Sequence, residues 1–168
     1  MPEFTLNIKK MAEAKYIYMK PFNEIKIAIC CDHAGYDLKN EVIKYLQNQQ
    51  VADLKDFGTY STDSADYPDY AHPMANAVEN HEFDFGISIC GSGNGISMTV
   101  NKHRGIRAGL CWNAEIARLT RSHNDANVLS LPARFVTVDE ALDMVNVFFT
   151  TDFEGGRHQT RIDKIPLC

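Results

Sequence analysis

Asp84–Cys90, read DFGISIC, runs straight into Gly91-Ser92-Gly93-Asn94-Gly95 and then into Ile96–Lys102. A short apolar run bounded by turn residues fits a buried strand. Three glycines in five residues make a tight turn whose amides lie open to a ligand. The residues after it read as the start of a helix, so the stretch is a strand, a glycine turn and a helix start. The same alternation continues outward in both directions. Downstream, Ile106–Cys111 reads as a strand, Ala114–Arg121 as a helix and Val128–Leu131 as a strand. Residues 137–149 then place Val138, Ala141, Leu142, Val145, Phe148 and Phe149 at helical spacing. Upstream, Ile25–Cys31 (IKIAICC) reads as a strand, residues 36–49 as an amphipathic helix and Val51–Phe57 as a weaker strand. Asp66–Tyr70 leads into a helix that ends near Asn80, with Pro68 in its first turn.

Five strands alternating with helices imply right-handed crossovers. The expected fold is α/β: a Rossmann-like three-layer α/β/α sandwich around a five-stranded parallel sheet. Ligands on such sheets sit beyond the carboxyl ends of the strands. That rule singles out Asp32-His33, Cys90–Gly95 and Trp112-Asn113.

The chain has 168 residues, 45% hydrophobic and 23% charged, which is ordinary globular composition and suits one domain. Seventeen basic residues against 22 acidic give a net charge of −5, which argues against a nucleic-acid partner. A few local arginines still suffice for a small anionic ligand. No apolar stretch reaches membrane-spanning length, so no membrane association is expected. Residues 1–24 are read as an extension ordered only in part; Lys9, Lys10, Glu13, Lys15 and Lys20 interrupt any signal-peptide-like run. Residues 25–168 form the single domain. The five cysteines are an odd count without zinc-ligand spacing, and read as reduced thiols of a cytoplasmic protein.

The glycine turn is neither G-x-G-x-x-G, since Ile96 stands at the third glycine position, nor a P-loop, since no Gly-Lys-Ser/Thr follows. Dinucleotide and triphosphate binding are therefore disfavoured. Cys90 precedes the turn amides directly, a position that favours a thiolate; residue type alone favours an inert buried thiol. A nucleophile elbow would need glycine at positions 88 and 92, and both are serine, which weakens a cysteine-hydrolase reading. His123-Asn124, after a helix carrying Arg118 and Arg121, is suited to proton transfer near neutrality. His72, His81 and His103 read as surface residues. Asp32 either contacts a ligand together with His33 or caps the following helix. Arg157 and Arg161 stand at i, i+4, so on a helix both point one way, a fork pair suited to phosphate. Arg134 is a third phosphate candidate.

Five stretches, CDHAGYDLK (31–39), DYPDYA (66–71), ICGSGNGISMTVNKHRGIRA (89–108), SHNDANVL (122–129) and GGRHQTRI (155–162), resemble the type B ribose-5-phosphate isomerase family, which also contains allose- and galactose-6-phosphate isomerases. The resemblance covers nearly all of residues 25–165. It implies a homodimer or a dimer of dimers with active sites shared between subunits and a C-terminal dimerisation tail. It also implies a sugar-phosphate substrate and no metal or cofactor. Cys90 matches the general base. Relatives that lack this cysteine carry a glutamate where Ile96 stands. Ser92 matches a polar residue beside the reacting carbons, and the amides of Gly91, Gly93, Asn94 and Gly95 an anion hole. His123 matches the ring-opening residue, with Asn124 beside it. Asp32, His33 and Tyr67 match substrate contacts, and Arg134, Arg157 and Arg161 a phosphate clamp. A 6-phosphate hexose isomerase and a catalytically silent phosphosugar-binding module are the alternatives.

Overall fold

The computed structural model describes residues 19–167. Residues 1–18 of the expected extension and Cys168 lie outside the described residues. Within the extension, Phe22–Glu24 form a 3-10 turn, and Met19 and Phe22 pack against the core. Phe22 meets the edge of the Phe149 ring at a centroid distance of 6.1 Å, so the packed body starts before Ile25.

Five strands, β1 (Lys26–Cys31), β2 (Asp53–Asp56), β3 (Phe85–Cys90), β4 (Ala108–Leu110) and β5 (Val128–Pro132), form one sheet in the order β2-β1-β3-β5-β4. Every pairing is parallel. The helices are α1 (Tyr36–Asn48), α2 (Tyr67–Glu79), α3 (Asn94–Val100), α4 (Ala114–Asn124), α5 (Val138–Thr150) and α6 (Arg157–Ile162).

The period-two alternation of a strand sorts side chains between the two faces of the sheet. Ile27, Ile29 and Cys31 of β1, with Ile87 and Ile89 of β3, bury against α1 and α5. Ala28 and Cys30 of β1, with Cys90 of β3, bury against α2 and α3. Phe85, Phe148 and Phe149 pack edge to face on the first side. Full burial of one such ring stabilises by about 1.5–3 kcal/mol. Pro68 sits in the first turn of α2 as the sequence suggests. Asn113 and Thr137 cap α4 and α5, the latter through a reciprocal box with Glu140.

β1 has β2 on one side and β3 on the other. The chain leaves β1 for α1 on one face and leaves β3 for α3 on the opposite face. Their carboxyl ends therefore diverge and leave a crevice between them, the usual ligand position in an open parallel sheet.

Candidate active site

That crevice holds a cleft of about 360 Å³ lined by Asp32, His33, Tyr67, Cys90, Gly91, Ser92, Gly95, Arg134 and Phe135, together with Ala34. Cys90, the last residue of β3, is 4% exposed. Its sulfur accepts the Gly93 amide at 3.1 Å. Gly93 reaches that position with φ at 74°, and a Cβ there would strike the Leu110 side chain. Gly95 is held to a bare hydrogen by the Tyr67 ring, whose Cζ would lie 2.6 Å from an added Cβ. Asn94 donates its amide to Ser92 Oγ at 3.3 Å. Among the described residues, the Ser92 and Gly95 amides donate to no protein acceptor. They are donors held at the cleft without a partner.

Asp32 does both things the sequence left open. Its Oδ1 accepts the Gly35 amide at 3.0 Å and caps the turn after β1, while the residue lines the cleft. His33 Nδ1 lies 3.2 Å from the Ala65 amide nitrogen and 3.4 Å from the Ala65 carbonyl oxygen. Arg134 follows β5, and its amide donates to the Gly91 carbonyl at 3.0 Å, which ties the loops after β3 and β5 together. Phe135 is 73% exposed at the cleft and went unnoticed in the sequence, where only its neighbour Arg134 gave a signal.

Cys30, Cys31 and Cys111 are buried free thiols. Burial pushes Cys31 up to about 12, offset in part by the Lys39 ammonium, and pushes Cys111 up to about 11. Cys30 is raised by burial and by its neighbour Cys31. These groups stay neutral thiols near pH 7. Fully buried Lys39 of α1 donates to both Asp56 oxygens, at 2.7 and 2.6 Å, and to the Thr59 carbonyl at 2.6 Å, which ties α1 to the end of β2.

The remaining expected residues are not in this cleft within one chain. α4 starts beyond the carboxyl end of β4 and runs back, so His123 and Asn124 occupy its last turn, just before β5 begins. Arg107, ahead of β4, donates to the Asn124 and Asp125 carbonyls and fixes that end of the sheet. The five residues of β5 put about 17 Å between the two ends. Arg157 and Arg161 lie on α6, which packs on α4, and both are exposed. Arg107 and Arg121 pair with Asp125, and Arg118 with Glu115. Arg134, Arg157 and Arg161 have no ion-pair partner among the described residues. Trp112 and Asn113 do not line the cleft; Asn113 is occupied capping α4.

At this second location the His123 ring stacks on His158 with centroids 4.1 Å apart and planes within 10°. Glu154 Oε2 lies 3.8 Å from His123 Nε2 and 3.6 Å from His158 Nε2. Burial, then the neighbouring His123 and Arg157, hold His158 below the usual histidine range. This three-residue group has no signature in the sequence, because His123 is far along the chain from the other two. Arg121, expected as part of the His123 setting, is instead buried and donates to Asp125 and the Ala126 carbonyl. His103, expected as a surface residue, is wedged between His72 at 2.9 Å and Glu79 at 3.2 Å.

Residues 27–165 match the family profile described as Ribose/Galactose Isomerase. The chain belongs to the ribose/galactose isomerase family. It is 45% identical over 140 residues to ribose-5-phosphate isomerase B of Escherichia coli, covering 83% of this chain and 93% of that one. The solved ribose 5-phosphate isomerase of Thermotoga maritima superposes with a TM-score of 0.82 at 48% identity, over 84% of this chain and 97% of that one. Ribose-5-phosphate isomerase B of Mycoplasma genitalium, solved with bound ribulose-5-phosphate, gives a TM-score of 0.79 at 44% identity over 83% and 93% of the two chains. Among the described residues no helix is long and apolar enough to cross a membrane.

Proposed function

We propose that this member of the family is an aldose–ketose isomerase that interconverts D-ribose 5-phosphate and D-ribulose 5-phosphate, a step of the non-oxidative pentose phosphate pathway. The observation that carries the reading is the crevice between β1 and β3, where the Cys90 sulfur, unpartnered loop amides and an arginine face one cleft. Relatives bearing that enzyme name, one of them holding ribulose-5-phosphate, support the substrate.

The Cys90 thiolate takes the proton from C2 of the open-chain aldose. Negative charge then rests on O1 of the enediolate, where the partnerless Ser92 and Gly95 amides meet it. One such donor is worth about 3 kcal/mol in a transition state. Return of the proton to C1, with the O2 hydroxyl proton passing to O1, completes the ketose. Ser92 stands beside the reacting carbons, and Asp32, His33 and Tyr67 hold the sugar hydroxyls. Ring opening belongs to His123, assisted by Asn124. Arg134, Arg157 and Arg161 grip the phosphate, whose binding energy positions the reacting end.

Because one chain puts Cys90 and His123 at opposite ends of the sheet, the complete site takes a second copy of the chain in a homodimer. Exposed Tyr60, Trp112 and Phe135, all in loops after strand carboxyl ends, support an interface at that edge. The free thiols among the described residues suit the reducing cytoplasm. Steady-state turnover of ribose 5-phosphate and of allose 6-phosphate by the purified protein tests the assignment. Faster turnover of the pentose is expected. Preference for the hexose makes the enzyme a 6-phosphate isomerase, and ligand-induced thermal stabilisation without turnover makes it a silent binding module.

A further inference from the structure

Arg121 of α4 is 1% exposed. Its guanidinium lies over the Phe85 and Phe148 rings, 5.2 and 5.7 Å from their centroids. Nη1 is fully engaged, donating to Asp125 Oδ1 at 2.8 Å and to the Ala126 carbonyl at 2.6 Å. The edge formed by Nε and Nη2 is not. Among the described residues Nη2 has the Met19 sulfur alone, at 3.3 Å, and buried Nε has no acceptor. That edge is a fork suited to oxygen. Arg118 turns the same two nitrogens to the Glu115 carboxylate, and Arg107 turns them to the Asp125 carbonyl. At Arg121 the fork faces a thioether, which is a weak acceptor.

Met19 is held at that edge by its own backbone and by its neighbour. Its amide donates to the Asp152 carboxylate, and Lys20 pairs with Asp84 at 3.2 Å. The side chain is half-buried and borders a groove of about 340 Å³ that it shares with Phe22, Phe149 and Asp152. A small oxidant therefore reaches the sulfur, which keeps a second lone pair free of Arg121.

We propose that Met19 is a modification site at which a hydroperoxide oxidises the thioether to the sulfoxide, and that Arg121 holds the new oxygen. The sulfur gives an electron pair to the terminal peroxide oxygen, and the O–O bond breaks. The proton on that oxygen passes to the departing one, which leaves as water or an alcohol. Sulfur is oxidised by two electrons and the peroxide is reduced by two. A methionine side chain has three rotatable bonds, so the sulfur draws back and its oxygen takes the place before Nε and Nη2. Sulfoxide formation ordinarily disrupts apolar packing. The effect has the opposite sign here, because a polar oxygen replaces a weak acceptor at a buried charge. Oxidation fastens residues 19–22 to the body, and this holds whatever reaction the cleft performs.

The test treats the full-length protein with limiting hydrogen peroxide, then with a dithiol that returns oxidised cysteines to thiols. Peptide mass spectrometry maps the retained oxygen. Met98, 65% exposed, is the internal standard for an open methionine, and fully buried Met74 and Met144 for a closed one. Met19 should oxidise with Met98 and ahead of the buried pair. On treatment, the melting temperature of the parent should rise relative to Met19→Leu by about 2–4 °C, the shift that one net hydrogen bond gives a domain of this size. Met19→Gln carries an amide oxygen on a side chain of similar length and should melt above Met19→Leu without peroxide. Arg121→Lys removes the fork and should abolish that gain. A Met19 that stays reduced while Met98 oxidises overturns the proposal. So does a parent that gains nothing over Met19→Leu on oxidation, a Met19→Gln no more stable than Met19→Leu, or a gain that survives Arg121→Lys. The peroxide and Met19→Gln readouts decide the matter even where Arg121→Lys fails to fold.

Discussion

The Gly93 amide points at the Cys90 sulfur across 3.1 Å, and only a glycine reaches that pose. A sulfur that must carry negative charge accepts such a bond better than a neutral one does. Gly93→Ala forces a non-glycine residue to φ near 74° and drives its methyl into Leu110. Strain of about 1–3 kcal/mol is expected, and the amide shifts away from the sulfur. Loss of one hydrogen bond to a charged group costs about 1.5–3 kcal/mol, roughly 10–100-fold in turnover. Thermal melting and steady-state kinetics of the same preparation separate the two effects.

Arg157 and Arg161 are exposed and have no ion-pair partner among the described residues. Replacing Arg161 with alanine should leave the melting temperature nearly unchanged. KM for ribose 5-phosphate should rise about 10–100-fold, the value of a charge-assisted contact to phosphate. A large stability loss without a change in KM would give Arg161 a structural role.

Lys39→Met tests the buried tie between α1 and the end of β2. It removes a fully buried ammonium, leaves the Thr59 carbonyl without that donor and leaves the Asp56 carboxylate with the Gly58 amide in place of an ion pair. Breaking one side of such a pair destabilises by about 3 kcal/mol. Urea unfolding of the two proteins measures the difference. The double variant Lys39→Met, Asp56→Leu should recover part of it, because no uncompensated charge is then left.

The Thr137 capping box makes an acid-sensitive contribution. Glu140 Oε2 accepts from the Thr137 amide at 2.7 Å and from its hydroxyl at 2.9 Å, and these bonds hold the carboxyl below its ordinary value. The unfolded chain takes up that proton at higher pH than the native one does. The stabilisation is therefore complete above about pH 4.3, the unperturbed glutamate value, and fades on acidification through the lower native value. The stability gap between the parent and Glu140→Ala should stay constant from neutrality to pH 5 and shrink below about pH 4.3 in denaturant titrations. A gap that widens in acid would contradict the assignment.

Much of this was legible before any coordinates. DFGISIC and the glycines after it locate β3, the cleft and Cys90, because a short isoleucine-rich run and a glycine turn have few other uses. The order of the strands was not legible. β5 inserts between β3 and β4, and local sequence carries no mark of which neighbour a strand selects. β4 spans only Ala108–Leu110, shorter than the expected strand Ile106–Cys111, because an edge strand has β5 alone to pair with. The separation of His123 from Cys90 follows from the return direction of α4, which the sequence implies only once the sheet is known. The stacking of His123 on His158 was hidden for the opposite reason: a long-range contact leaves no periodicity. His103 was misread because its partners Glu79 and His72 lie on α2, a separate element.

Mixing two inactive chains tests the central claim, a sulfur base in one chain's crevice served by the histidine and arginines of another. Cys90→Ala removes the proposed general base and His123→Ala the proposed ring-opening group, and each alone should lower turnover about 10²–10⁴-fold. In a two-fold dimer with shared sites, a mixed pair keeps one intact site, and random reassociation gives about a quarter of parental activity. Recovery near that level after the two variants are unfolded and refolded together is the predicted result. A mixture as inactive as its components would contradict the account.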